Sequence, residues 1–218
     1  IAIFLLARMI YYDGQAAVFI FTGVYAKGVF DWPTTQIGFY GLIIIVMQVP
    51  FTLLGGLVDD YIGSKRTIVG AVSLFALGLM LLVGTTTDSA AFIVAVSMEP
   101  ITATNIFGEA LNGMGFDTSS ERWFLFLATA TGVFAGPSLS SSRTMLARIA
   151  PPAMMAEFYG LYALCGKATS FLAPLTVAIV TQATASQRVG LGSVIIFLIV
   201  GLLLMFFVKE EQSTAHEH

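Results

Sequence analysis

Cysteine, histidine and charge are all scarce in this chain of 218 residues, and each scarcity excludes a class of chemistry. A single cysteine, Cys165, leaves no intrachain disulfide to form. The two histidines, His216 and His218, sit within the last three positions of a polar tail, which removes most metal centres and Ser–His nucleophile pairs. Only 11% of residues are charged, against roughly 25% in an ordinary soluble domain. A net charge of -3 offers no basic surface for nucleic acid. The chain opens at Ile1, inside an apolar run with no basic stretch before it, so no signal peptide is read and the chain is taken as a fragment. Neither a metal nor a cofactor is expected.

What the chain does hold is apolar: 57% of it is hydrophobic. A helix rising 1.5 Å per residue needs about 20 mostly apolar residues to cross a hydrocarbon layer of about 30 Å. Six segments qualify, at 1–26, 37–58, 67–86, 122–146, 157–181 and 189–208. Inside lipid the backbone must bond to itself, so these are expected to be helices of an all-α, multi-pass membrane protein. The apolar stretch 90–98 is too short to span and is expected to pack at the interface or re-enter. Trp32, in the link 27–36, suits the headgroup level. Residues 87–121 read as a long loop carrying acidic residues but no Lys or Arg, and 209–218 as a solvated tail.

Alternation of sides puts Lys65, Arg66, Arg143, Arg148 and Lys209 on one face and Lys27, Arg122 and Arg188 on the other. The positive-inside rule makes the first face cytoplasmic, with both chain ends on it. Glycine and proline mark where helices approach and bend. Gly132 and Gly136 form a GxxxG directly before Pro137, which predicts a close helix contact followed by a kink or break. Pro50 and Pro174 stand inside the second and fifth spans.

Three ionisable residues lie within spans: Arg8, Asp13 and Lys167. Each costs at least ~2.5 kcal/mol at a bilayer centre on insertion scales, so each should face protein or water. Helix rise puts Asp13 roughly 18 Å deep and Lys167 roughly 15 Å deep, near the midplane where carriers place their substrate and ion sites. Arg8, Tyr12, Gln15 and Thr22 fall on one polar stripe of the first helix, with Asp13 bordering it. On the fifth, Ala163, Lys167, Ser170 and Pro174 share a small, polar face. This pattern predicts a substrate or proton pathway built from Asp13, Lys167, Arg8, Tyr12, Gln15 and Ser170, in which Asp13 carries a proton and Lys167 holds a carboxylate. The plainer alternative is that Asp13 and Lys167 pair to fix packing while Arg8 reaches the cytoplasmic headgroups.

Between the second and third spans stand Gly56, Asp60, Gly63, Lys65 and Arg66, in the order G-x3-D-x2-G-x-K-R. This resembles the cytoplasmic loop signature of the major facilitator superfamily. Glycines allow the reversal, Ser64 is placed to cap the next helix, and Asp60 to pair with a cation near a helix end. Tyr61 occupies a place where the pattern usually has a basic residue. Longer stretches resemble the vacuole-effluxer-like branch of that superfamily, comprising the autophagy-related amino-acid exporters and their bacterial relatives. They are Tyr12-Asp13-Gly14, Ser142-Arg143, Pro151-Pro152, Glu157-Phe158-Tyr159-Gly160-Leu161-Tyr162, Gly166-Lys167-Ala168-Thr169-Ser170-Phe171, Glu121-Arg122-Trp123-Phe124 and Arg188-Val189-Gly190.

The resemblance implies the carboxyl-terminal half of a twelve-helix carrier: two three-helix repeats, 1–87 and 122–208, on either side of an extracytoplasmic loop at 88–121. It implies that the 56–66 loop latches the inward face shut. It further implies export of small solutes such as amino acids, in a bacterial inner membrane more than a vacuolar one, with a missing amino-terminal half or a second copy as partner. A non-transporting membrane scaffold is the rival reading. An intramembrane hydrolase is a weaker one, because Ser138 to Ser142 offer hydroxyls but no span holds a histidine or a GxSxG.

Overall fold

The computed structural model describes residues 1–102 and 105–208; the tail at 209–218, with Lys209, His216 and His218, lies outside the described residues. Apolar runs that must satisfy their own backbone in lipid fold as six helical spans, of 20 to 33 residues. The first three are unbroken: α1 (Ala2–Phe30), α2 (Thr34–Ile62) and α3 (Ser64–Val83). Helix α2 runs through Pro50 without a break. The fourth span is two helices, α5 (Ser119–Gly132) and α6 (Ala135–Ile149), and the fifth is α7 (Met155–Ala168) followed by α8 (Leu172–Thr184). Helix α9 (Gln187–Phe207) completes the set. The arrangement is half of a major facilitator fold.

Both breaks have a cause legible in the chain. Proline lacks the N–H that would close the turn four residues back. Pro137 follows the joint between α5 and α6, and Pro174 follows the joint between α7 and α8. At the second joint, the Ser170 hydroxyl donates to the Lys167 carbonyl at 2.9 Å, making good one orphaned acceptor at the end of α7.

Packing inside the bundle is set by missing side chains. Gly132 and Gly136 lie against Ile44, Gln48 and Thr52 of α2, so the GxxxG does bring two backbones together. A Cβ at Gly55 would stand 2.8 Å from the Pro137 Cα, and one at Gly201 only 2.6 Å from the Tyr11 Cβ. The second contact pins α9 to α1, and this pair holds the centre of the apolar core with Phe4, Tyr11, Val194 and Leu198. Helix α2 and the α7–α8 span are mostly uncovered, whereas α1 and the α5–α6 span are mostly enclosed.

The long loop is folded rather than extended. The short apolar stretch 90–98 takes part in a small hairpin, β1 (Ser89–Ala90) antiparallel to β2 (Val94–Ala95), a small departure from an all-helical chain. Its turn passes through left-handed backbone at Ala91 and Phe92. Helix α4 (Ile106–Gly113) follows, its Asn105 side chain accepting from the Gly108 N–H at 2.7 Å. Thr118 and Glu121 then form a reciprocal capping box at the start of α5. Arg122 ties the loop down through the Phe116 carbonyl at 2.9 Å, the Gly108 carbonyl at 3.2 Å and the Asn112 side chain.

Trp32, in the link between α1 and α2, is enclosed by protein. Its indole is 0% exposed, because Phe116 folds over it at 5.0 Å and Phe124 meets it at 5.3 Å, both nearly edge-on.

Candidate functional site

The polar stripe of α1 turns inward. Arg8, Gln15 and Thr22 are buried, and Tyr12 is partly so. Facing them is a row the sequence reading passed over as a site: Ser138, Ser141 and Ser142 of α6, at helical i, i+3, i+4 spacing and all buried. The Ser138 hydroxyl lies 3.1 Å from Gln15 Oε1, and the Ser142 hydroxyl lies 2.7 Å from the Tyr162 hydroxyl. Tyr162, from α7, also accepts from Arg8 through its backbone carbonyl at 2.9 Å. Ser142, Tyr162 and Arg8 therefore form one connected polar path between α6, α7 and α1. The spacing of the three serines is the signal for this row; the sequence reads Ser142 with Arg143 as part of the cytoplasmic loop and Ser138 to Ser142 as hydroxyls open to a hydrolase.

Arg8 does not reach for the headgroups. Its guanidinium lies over the Tyr162 ring at 3.4 Å and near the Tyr12 ring at 4.9 Å, with 4% of the residue exposed. Its Nε has no hydrogen-bond acceptor among the described residues.

Asp13 and Lys167 are not an ion pair. The Asp13 carboxylate accepts at 3.0 Å from the backbone N–H of Ala173, in the first turn of α8. A negative side chain thus sits at the positive end of a helix that begins in the middle of the membrane. Its second oxygen is buried without a hydrogen-bond partner among the described residues. Lys167 stands at the end of α7, three residues before the joint closes, and is exposed, as is Ser170. Of the six expected pathway residues, Arg8, Tyr12, Asp13 and Gln15 are placed by α1, while Lys167 and Ser170 lie at the joint on the uncovered side of the fifth span.

Beside this cluster lies an open cavity of about 540 Å³ between α1, α2 and α6. Its polar lining is Tyr12, Gln15, Tyr40 and Gln48, set among Phe19, Ile44 and Leu139. A space of that volume suits a small solute.

At the end assigned to the cytoplasm, the 56–66 segment makes a different set of contacts from the expected one. Gly63 takes φ 91° and ψ 154°, a backbone that favours glycine, and this starts α3 at Ser64. Ser64 is therefore buried inside the helix and makes no cap, a correction; Thr67 instead donates back to the Gly63 carbonyl at 3.0 Å. Gly56 faces open space, and it is its neighbour Gly55 that packs against Pro137.

Asp60 pairs with Arg148 of α6 at 3.9 Å, and the buried Asp59 meets the same guanidinium at 3.8 Å. Lys65 donates to the Phe206 and Val208 carbonyls at 3.1 and 2.6 Å, a cation at the negative end of α9. Arg66 is exposed. Arg143 is exposed too, its carbonyl accepting from Tyr159 at 3.2 Å, while the adjacent Ser142 belongs to the polar path. Because Asp60 is 78% exposed and its contact long, Asp60→Asn is expected to lower stability by under about 1 kcal/mol. Asp59→Asn should lower it by more, since that carboxylate is buried; thermal unfolding of the two variants in detergent checks the order.

Six spans, two of them broken, with buried ionic groups beside a polar-lined cavity, define a polytopic membrane protein of the major facilitator class. The chain belongs to the vacuole effluxer Atg22-like family, whose model matches residues 1–218. It is 27% identical over 218 residues to an uncharacterized MFS-type transporter, YxiO, of Bacillus subtilis, a match covering 97% of this chain and 42% of that protein. It is 23% identical over 215 residues to autophagy-related protein 22-2 of Aspergillus niger, covering 97% of this chain and 32% of the relative. A shorter stretch of 93 residues is 31% identical to autophagy-related protein 22 of Cryptococcus neoformans var. neoformans. The chain thus spans about a third to two-fifths of the first two relatives. No solved structure matches it.

Proposed function

We propose that this chain forms one wall of a secondary transporter that exports small solutes, amino acids among them, by alternating access. The observation that carries the reading is the pair of ionic side chains, Arg8 and Asp13, buried within a span and without ionic partners among the described residues. Intramembrane charge of this kind is costly to keep and is by default functional. The cavity lined by Tyr12, Gln15, Tyr40 and Gln48 supplies the room, and the joints at Pro137 and Pro174 supply places where spans bend. Such discontinuous helices recur at the midplane sites of carriers.

In this reading Asp13 carries a proton. Its charge faces the start of α8, so its protonation state and the α7–α8 joint at Lys167 and Ser170 are linked. The 56–66 loop, through Gly56, Asp60, Gly63, Lys65 and Arg66, gates the cytoplasmic end together with Ser142 and Arg143. The uncovered faces of α2 and of the fifth span receive the other wall, either a second six-helix half or a second copy. Three spans on each side of the loop then form the two repeats, and the proposed location is a bacterial inner membrane more than a vacuolar one, with relatives in both Bacillus and fungi.

The test is solute flux from vesicles reconstituted with the native protein that carries this chain, loaded with labelled amino acids. Efflux several-fold above empty vesicles, accelerated by an imposed proton gradient, is the expected result. Flux equal to that of empty vesicles for every solute would favour a scaffold instead.

A further inference from the structure

We infer that Arg8 is the residue that receives the carboxylate of the transported solute, a role that rests on the transport reading above. Arginine cannot shed its proton in a protein, so the group stays cationic wherever the fold puts it. Here it is 4% exposed, no carboxylate lies within ion-pairing distance among the described residues, and only one of its five N–H donors has a protein acceptor. The rings of Tyr162 and Tyr12 offset part of the lost hydration through cation–π contact, but not the whole cost of an unneutralised buried ion. An arriving anion removes that deficit, and the flat guanidinium fork matches the two oxygens of a carboxylate.

Access and exclusivity follow from the neighbours. Tyr12, one of the two rings, also lines the cavity, so a shift of that one side chain joins the guanidinium to the solute space. Gly166 of α7 presents no side chain toward Arg8; a Cβ there would stand 3.1 Å from Nη1. Asp13 cannot neutralise Arg8 from its place on the same helix, since five residues separate them by roughly 7.5 Å along the axis and about 140° around it. The same separation is too great for the ammonium and carboxylate of one α-amino acid to bridge, so acid recognition at Arg8 is distinct from the proton at Asp13. Lys167, the residue the sequence suggested for a carboxylate, lies on the uncovered face of the fifth span and lines no part of this cavity.

The native protein in detergent is heated with three probes: a mixture of aliphatic and aromatic L-amino acids, the matching amino-acid amides, which lack the carboxylate, and inorganic phosphate. The acids are expected to raise the melting temperature and the amides and phosphate are not. Arg8→Gln should weaken the acid effect at least tenfold in half-saturating concentration. Arg8→Lys keeps the charge but loses the fork and should also weaken it, which preserves the test if the glutamine variant fails to fold by gel filtration. Stabilisation by the amides or by phosphate as large as by the acids, no stabilisation by the acids, or unchanged acid binding in a folded Arg8 variant each overturns the inference. Solute flux that persists unchanged in Arg8→Gln overturns this inference and leaves the transport reading standing, whereas absent flux from the unmodified protein overturns the transport reading itself.

Discussion

Asp13→Asn is expected to leave a folded, membrane-inserted protein whose flux no longer responds to a proton gradient. The asparagine side chain keeps a carbonyl oxygen that can accept from the Ala173 N–H, so the cap on α8 survives in shape. What disappears is the charge, and with it both the protonatable group and the attraction between a carboxylate and the start of a helix, a term of about 0.3–2 kcal/mol. Coupled efflux should fall at least tenfold while the melting temperature stays close to that of the unmodified protein. Asp13→Ala separates the two roles: it removes the acceptor as well, leaving a buried N–H unpaired at a cost of about 1–3 kcal/mol. Gradient-driven efflux of Asp13→Asn at the unmodified rate would remove Asp13 from the coupling mechanism.

Gly201→Leu should be among the most damaging packing changes in the bundle. The Cβ alone would lie 2.6 Å from the Tyr11 Cβ and 3.0 Å from the Tyr11 backbone nitrogen, and backbone atoms cannot swing aside. Forcing extra volume into a close-packed contact typically costs about 1–3 kcal/mol and sometimes more. Because the contact joins α1 to α9, the displaced helix is the one that carries Arg8, Asp13 and Gln15. Low yield and a clearly lowered melting temperature are expected. Gly70→Leu is the control, since nothing lies within 4 Å of a Cβ at that position. Equal melting temperatures for the two variants would show that α1 and α9 are not held as closely as described.

How much of this was legible in the sequence depends on who the partner is. Span number, span limits within a few residues and the joint at Pro137 follow from local facts, apolar length and a proline behind a GxxxG, whereas Pro50 and Pro174 read alike and only the span with Pro174 is broken. The close approach at Gly132 and Gly136 was legible for the same reason. What escaped was every contact whose other side is backbone. Asp13 finds the Ala173 N–H, 160 positions away, and Lys65 finds two carbonyls at the end of α9, 141 and 143 positions away.

Any residue but proline offers an N–H, and every residue a carbonyl, so no side-chain pattern announces such partners. A charged residue looking for a charged mate is the plainer alternative that the sequence offers, and it would pair Asp13 with Lys167. The cover over Trp32 was illegible through the same kind of locality. Headgroup preference describes an indole at a bare helix end, and Phe116, far along the chain, covers this one.

That buried indole has a practical consequence. The chain holds two tryptophans, and the second, Trp123, is 39% exposed on α5 with its ring perpendicular to Phe126. Two fluorophores of one kind therefore report from unlike surroundings, one shut in an aromatic cage beneath the folded loop and one open at the bundle's periphery. Lipids brominated on their acyl chains quench by contact, so they dim Trp123 and spare Trp32. The residual emission then becomes an optical gauge of whether the loop stays seated.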